Sequence, residues 1–174
     1  HGQAADRPMI ARRTFLKAGL AGGVLLGAGG LWYAATREGV APGRLDGSTR
    51  AMFAAIAPVI LAGMLPAQPA ARDAVVAGVE TAYGGLSQAA QQELGQLFGL
   101  LAFAPSRYLL TGIASWQAAT PDELARFLDD WRFHRFALLR GAYAALHDLV
   151  RGAWYARPES WPAIGYPGPP QVRP

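Results

Sequence analysis

Apolar residues recur every three to four positions along most of residues 48–157, which is the period of an α-helix with one buried face. Ser48 is in position to cap the first predicted helix, and Pro58 inside this helix predicts a kink or break. The apolar face of the helix consists of Met52, Phe53, Ile56, Val59 and Ile60.

Two further helices are predicted before residue 104. The second helix is predicted over residues 69–84, and the third begins with Ser87 as its cap. The apolar face of the second helix consists of Val75, Val76, Val79 and Tyr83. Its polar face, expected in water, carries Arg72, Asp73 and Glu80. The apolar face of the third helix, which follows a glutamine-rich polar start, consists of Leu94, Leu97, Phe98 and Leu101.

The last two predicted helices have clear ends. Thr120, followed by Pro121 and Glu123, has the residues of a capping box with proline in the first turn. The apolar face of that helix consists of Leu124, Phe127, Leu128 and Trp131. A final helix is predicted from about residue 135 to 156, before Pro158. Its inward face is expected to carry Phe136, Leu139, Tyr143, Leu146 and Val150.

No run alternates with a period of two for long enough to predict a strand, so the chain is predicted to be all-α. Residues 1–36, whose motif is described below, are predicted to be an N-terminal signal or membrane anchor, and residues 37–47 are predicted to be a linker rich in glycine and charge. Residues 48–157 are predicted to fold as a small helical bundle. Residues 158–174 contain six prolines and are predicted to be an extended tail.

Charge separates the N-terminal end from the rest of the chain. Residues 1–17 hold four basic side chains and one acidic one, whereas the remainder holds 12 arginines and 11 carboxylates. Nucleic-acid binding needs a basic stripe on the folded body, so this balance argues against it. This chain has no cysteine, which excludes disulfides, thiolate-ligated zinc, iron–sulfur clusters and covalently attached haem.

A basic motif stands directly before the most apolar part of the chain. Residues 11–17 read A-R-R-T-F-L-K, and residues 18–36 then contain six glycines and no charge. This layout resembles a twin-arginine (Tat) export signal, S/T-R-R-x-F-L-K, with a departure only at Ala11. The matching residues are Arg12, Arg13, Phe15, Leu16 and Lys17. The resemblance implies recognition by the Tat translocase and export of a folded protein to the periplasm.

Two fates of this segment remain open. The stretch from Leu16 to Ala35 is long enough to span a bilayer, with Trp32 and Tyr33 near the outer interface, so it can be retained as an anchor in the inner membrane. Cleavage after Gly30 is the alternative, because small residues are preferred before a cleavage point.

The residues that usually carry catalysis or bind metals are few and scattered. His134 and His147 lack the spacing of metal ligands, and we expect them to be hydrogen-bonded beside Asp130 and Asp148. Asp129 and Asp130 are neighbours on a predicted helix, so their carboxylates diverge. No serine lies in a G-x-S-x-G motif, and there is no phosphate-binding loop. We therefore predict no catalytic, cofactor or metal site in this chain.

Aromatic residues concentrate in the C-terminal part. An extended proline-rich tail cannot bury its own aromatic side chains, so it either packs back on the bundle or docks on another protein. We favour docking, because rigid proline segments with aromatic anchors lose little entropy on binding. The predicted partner interface consists of Trp154, Tyr155, Trp161, Ile164, Gly165, Tyr166, Pro167, Gly168, Pro169 and Pro170.

The chain closes with W-x-x-I-G-Y-P-G-P-P at residues 161–170, preceded by "LHDLVRGAWYARPES". With the twin-arginine leader, this end of the chain resembles the gluconate 2-dehydrogenase subunit 3 family, the small subunits of periplasmic, membrane-associated dehydrogenases. The resemblance covers the leader and roughly the last 40 residues. The middle of the chain is similar only in being helical.

The resemblance implies an accessory subunit. In that family the small subunit binds an FAD-containing subunit of the glucose–methanol–choline (GMC) oxidoreductase type, and a multihaem cytochrome c subunit, which holds haem c, usually completes the complex. It implies that this chain has no cofactor and escorts the folded flavin subunit through the Tat pathway, stabilising or anchoring it. Two alternatives remain: a self-standing membrane-anchored periplasmic binding protein, and a b-haem carrier using His134 or His147.

Overall fold

A computed structural model of the chain describes residues 43–162 and 165–168. Within these ranges it contains six α-helices, one short 3₁₀ helix and no strand. The α-helices are α1 (Gly47–Ile60), α2 (Pro69–Gly84), α3 (Gln88–Ala102), α4 (Ala104–Thr111), α5 (Pro121–Arg132) and α6 (Ala137–Tyr155), and the 3₁₀ helix is Pro158–Ser160. The all-α prediction is confirmed for this part of the chain. The predicted signal or anchor over residues 1–36 lies outside the described residues, as do residues 37–42 of the linker.

One core joins the helices. The ring of Phe98 on α3 contacts the rings of Phe53 on α1 and Tyr83 on α2, with 5.5 Å between centroids in each pair. On α5, the ring of Phe127 lies 4.9 Å from that of Trp131, which faces it edge-on. All five side chains are almost fully buried. Aromatic pairs in these geometries add to the stabilisation from burial. The predicted apolar faces of α1, α2, α3 and α5 contribute to one buried core.

The most extensive helix pair is α2 with α6. Gly78 makes this close approach possible, because a Cβ atom placed there would lie 3.0 Å from the Cβ of Ala153. Leu146 and Val150 of α6 are fully buried, as predicted. Among the helices in the described ranges, none is long and apolar enough to cross a membrane.

The start of α1 differs from the prediction. Its cap is Asp46, whose Oδ1 accepts a hydrogen bond from the Thr49 amide at 2.7 Å, and Ser48 is already inside the helix. The helix does not break at Pro58 but continues to Ile60. A proline this close to the C-terminus removes one helical hydrogen bond without ending the helix at its own position.

Glu80 corrects the expectation that the whole polar face of α2 lies in water. Its side chain is only 10% exposed, and Oε1 accepts from the Leu45 amide at 3.2 Å and forms an ion pair with Arg44, whose Nε lies 3.1 Å away. Its other oxygen accepts from Arg50. These bonds hold the segment before α1 against α2, and they supply the partners that a buried carboxylate requires.

Helix α4 was not predicted. It ends at Thr111 and is capped by Gly112, whose φ of +72° suits glycine. Its Arg107 is buried and donates hydrogen bonds to the carbonyl oxygens of Ala102, Ile113 and Ala114. Burial lowers the pKa of Arg107, whose guanidinium nevertheless keeps its charge because its ordinary pKa is so high. Arg107 therefore fixes the loop that follows α4.

Candidate partner interface

The chain after α6 turns back on the helix end. The indole Nε1 of Trp161 donates to the Tyr155 carbonyl at 3.1 Å, and the hydroxyl of Ser160 donates to the Arg157 carbonyl at 2.7 Å. Ser160 is almost fully buried. The first part of the tail is therefore tied to α6, and its residues Pro158–Ser160 form a 3₁₀ helix rather than extended backbone.

Tyr166 and Gly168 both lie against the ring of Trp161. The Tyr166 amide donates to the Trp161 carbonyl at 3.0 Å, and the Tyr166 ring meets the indole edge-on with 5.4 Å between centroids. Gly165 and Gly168 have φ values of +67° and +99°, which non-glycine residues rarely adopt. A Cβ on Gly168 would lie 3.1 Å from Cζ3 of Trp161. We call Trp161, Gly165, Tyr166, Pro167 and Gly168 the C-terminal turn.

The structure brings together part of the interface that the sequence predicts. In the C-terminal turn, Tyr166 is 45% exposed and Pro167 is exposed, so both present a surface to solvent. Trp154, in contrast, is only 5% exposed and belongs to the core. Tyr155 is half-buried, and its hydroxyl lies 3.4 Å from the sulfur of Met64. The remaining predicted residues, Ile164, Pro169 and Pro170, lie outside the described residues.

A second exposed surface was missed by sequence reasoning. Phe133, Phe136 and Leu138, at the corner between α5 and α6, are 75%, 54% and 81% exposed. Phe136 was expected to face inward, but α6 begins only at Ala137 and Phe136 is its N-cap residue. The repeated Arg-Phe pair in R-F-H-R-F was the signal that could have indicated an exposed aromatic surface.

The two histidines have local partners. His134 Nδ1 accepts from the Phe136 amide at 3.1 Å, rather than pairing with Asp130. His147 stacks on Tyr143 with 5.4 Å between ring centroids, and its Nδ1 lies 3.6 Å from Asp148. In the part of the chain that the structure describes, no group of three or more histidine, aspartate or glutamate side chains is placed to hold a metal ion.

The described residues thus define a small helical protein with an aromatic turn at one end of its last helix and an exposed apolar corner at the other. No family model, no curated protein and no solved structure matches this chain.

Proposed function

We propose that this protein is a non-catalytic small subunit of a membrane-associated periplasmic flavin dehydrogenase complex. The proposal rests on the combination of a twin-arginine motif at Arg12 and Arg13 with the closing motif of residues 161–170 in the same chain. The described part of that closing motif gives it physical support, because Trp161 and Gly168 form a compact turn that leaves Tyr166 accessible. An exposed tyrosine loses little entropy on docking when contacts within the protein already hold its turn in place.

In this proposal the chain escorts a partner. A GMC-type flavin subunit, loaded with FAD in the cytoplasm, docks on the C-terminal turn and crosses the inner membrane with this chain through the Tat translocase. A multihaem cytochrome c then accepts the electrons. The present chain holds no cofactor in this assembly, and its N-terminal segment, if retained, anchors the complex in the inner membrane.

The genomic neighbourhood offers the first test. The proposal expects an adjacent gene for a GMC-type flavin oxidoreductase without an export signal of its own. Co-expression of the two proteins then allows a direct measurement of export.

The decisive experiment replaces both motif arginines with lysine. Arg12→Lys with Arg13→Lys preserves the charge and removes the guanidinium groups. Both this protein and the flavin subunit should then remain in the cytoplasm, whereas Arg7→Lys, the matched control outside the motif, should leave export unchanged. A flavin subunit that still reaches the periplasm with the double variant would overturn the escort role.

An absorbance spectrum separates this proposal from the haem alternative. Purified protein without its partner should show no Soret band. A Soret band that disappears in a His134→Ala or His147→Ala variant would instead identify a b-haem carrier.

A further inference from the structure

The corner between α5 and α6 exposes three large apolar side chains close together in the sequence. Phe133, Phe136 and Leu138 are each more than half exposed, and Leu138 at 81% has almost no protein around it. Single exposed apolar side chains are ordinary, but three within six residues form a patch that calls for a contact. We call residues 132–140 the Phe133 corner.

Arginines accompany the apolar side chains of this corner. The guanidinium carbon of Arg132 lies 5.0 Å from the centre of the Phe133 ring, and that of Arg135 lies 4.7 Å from the centre of the Phe136 ring. Arg140 donates to the carbonyl oxygen of His134 at 2.6 Å. Among the ion pairs of the described residues, none includes any of these three arginines.

The charge around the corner has one sign on the side of α6. Residues 131–147 contain three arginines and no carboxylate. Asp129 and Asp130 line the same groove as Phe133 and Arg135, so the three arginines of the corner and these two carboxylates together leave a net charge of +1. Helix α6 also begins here without a side-chain cap and without an acidic residue in its first turn. The positive end of its dipole therefore adds to the charge of the arginines.

We propose that the Phe133 corner inserts into the surface of a membrane that contains anionic lipid. Arginine next to a projecting ring suits this environment, because the guanidinium can stay among the phosphates while the ring reaches the acyl boundary. The unpaired arginines supply the charge complementarity. The contact goes beyond the proposed function, since it belongs to the folded body and requires neither the N-terminal segment nor the flavin subunit.

The position of the corner is compatible with a partner at the other end of the molecule. Helix α6 has 19 residues, so its two ends are separated by about 28 Å at 1.5 Å per residue. A membrane at the Phe133 corner would leave Tyr166 of the C-terminal turn accessible.

The test uses the full chain and a local probe, because the apolar N-terminal run could bind vesicles by itself. The chain has no cysteine, so Ala137→Cys, at an exposed position inside the corner, allows one polarity-sensitive fluorophore to be attached. Gln92→Cys on the exposed side of α3 is the matched control. With phosphatidylglycerol vesicles, emission from position 137 should shift to the blue and be quenched by spin-labelled lipid, while emission from position 92 should not change.

Substitutions then test which side chains are responsible. Each arginine near an anionic surface contributes about a five-fold increase in binding, so Arg135→Gln with Arg140→Gln should weaken the response of the label about 25-fold. Phe133→Ser with Phe136→Ser should weaken it by at least about ten-fold. Arg151→Gln, at the far end of α6, should have no effect, and circular dichroism should show unchanged helix content in every variant.

Three results would overturn the proposal. In the first, the chain floats with the vesicles while the label at position 137 stays in water. In the second, neutral and anionic vesicles give equal responses, which contradicts the charge complementarity. In the third, the label shifts without vesicles as the protein concentration rises, which would identify a second copy of the chain as the occupant.

Discussion

Trp161 donates its indole N–H to the carbonyl oxygen of Tyr155, and this bond joins the proline-rich tail to the last turn of α6. The same indole supports Tyr166, whose ring meets it edge-on. The C-terminal turn is therefore part of the fold as well as a candidate docking surface. The sequence predicts that the tail either packs back on the bundle or docks on a partner. The two are compatible, because Trp161 faces the end of α6 while Tyr166 remains 45% exposed.

Two substitutions separate these roles. Trp161→Phe removes the hydrogen bond to Tyr155 and keeps an aromatic ring, so it should lower the free energy of unfolding by about 1 kcal/mol. Tyr166→Ala removes a ring that packs edge-on against Trp161 but is 45% exposed, so it should cost about 0.5–1.5 kcal/mol and sharply reduce capture of the flavin subunit. Urea unfolding and co-purification measure the two effects. Unchanged capture with Tyr166→Ala would show that this turn is structural only.

The close packing of α2 on α6 predicts opposite effects for two glycine-to-alanine changes. Gly78→Ala places a Cβ atom 3.0 Å from the Cβ and 3.3 Å from the carbonyl oxygen of Ala153, so it should destabilise the protein by about 1–3 kcal/mol. Gly141→Ala, inside α6 with no atom within 4 Å of the added Cβ, should stabilise it by about 0.5–1 kcal/mol through helix propensity.

The urea midpoints of the two variants provide the measurement. Ala153→Gly should partly rescue Gly78→Ala, because it removes the atom that the new methyl group meets. Equal stabilisation by both alanines would mean that α2 and α6 are further apart than the structure shows.

How far the sequence predicted the fold depends on the distance between the residues that determine each feature. The capping box at Thr120 was predicted because its determinants lie within four consecutive positions. The burial of Glu80 was missed because its partners Arg50 and Leu45 lie 30 and 35 positions away, where helical periodicity carries no information. Helix α4 was missed because eight residues are too short to show a clear period.

The candidate interface was predictable in composition and not in conformation. The aromatic and proline content of the tail predicts a contact surface, yet the close approach of Gly168 to the Trp161 ring depends on a fold that no local pattern encodes. Trp154 is predicted in the interface because it lies shortly before the closing motif in the sequence. On α6, however, its side chain points into the core. Phe136 shows the reverse case, because it fits the periodic face of α6 but precedes the first helical residue.

The contacts of the buried Glu80 predict that its carboxylate stabilises the packing of residues 44–50 against α2. Glu80→Gln keeps one acceptor oxygen but places an amide N–H₂ either against Arg50 or against Arg44 and the Leu45 amide, so it should cost about 1–3 kcal/mol. Cleavage by trypsin after Arg44 should also accelerate, because the hydrogen bond from the Leu45 amide to Glu80 is lost or weakened. Glu93→Gln, on the exposed side of α3, is the control and should change neither quantity. A Glu80→Gln protein as stable as wild type would show that the cluster forms no net stabilising contact.

The capping box at the start of α5 predicts a dependence of stability on pH. Hydrogen bonds from the Thr120 amide, at 2.8 Å, and from the Thr120 hydroxyl, at 3.0 Å, lower the pKa of Glu123. Because this pKa is lower in the folded state than in the unfolded chain, the contribution of Glu123 is complete above the ordinary glutamate pKa. It is lost as the pH falls through the lowered value.

Wild type should therefore be more stable than Glu123→Gln at neutral pH, and the difference should shrink as the solution is acidified through that window. Urea midpoints across a pH series measure it. Thr120→Ala supplies the matched background, because it removes the hydroxyl donor and the cap acceptor while leaving the amide of residue 120 in place. In that background the change at Glu123 should have a smaller effect and a weaker pH dependence. A difference between wild type and Glu123→Gln that is constant from neutral to acid pH would show that the carboxylate charge plays no part in starting α5.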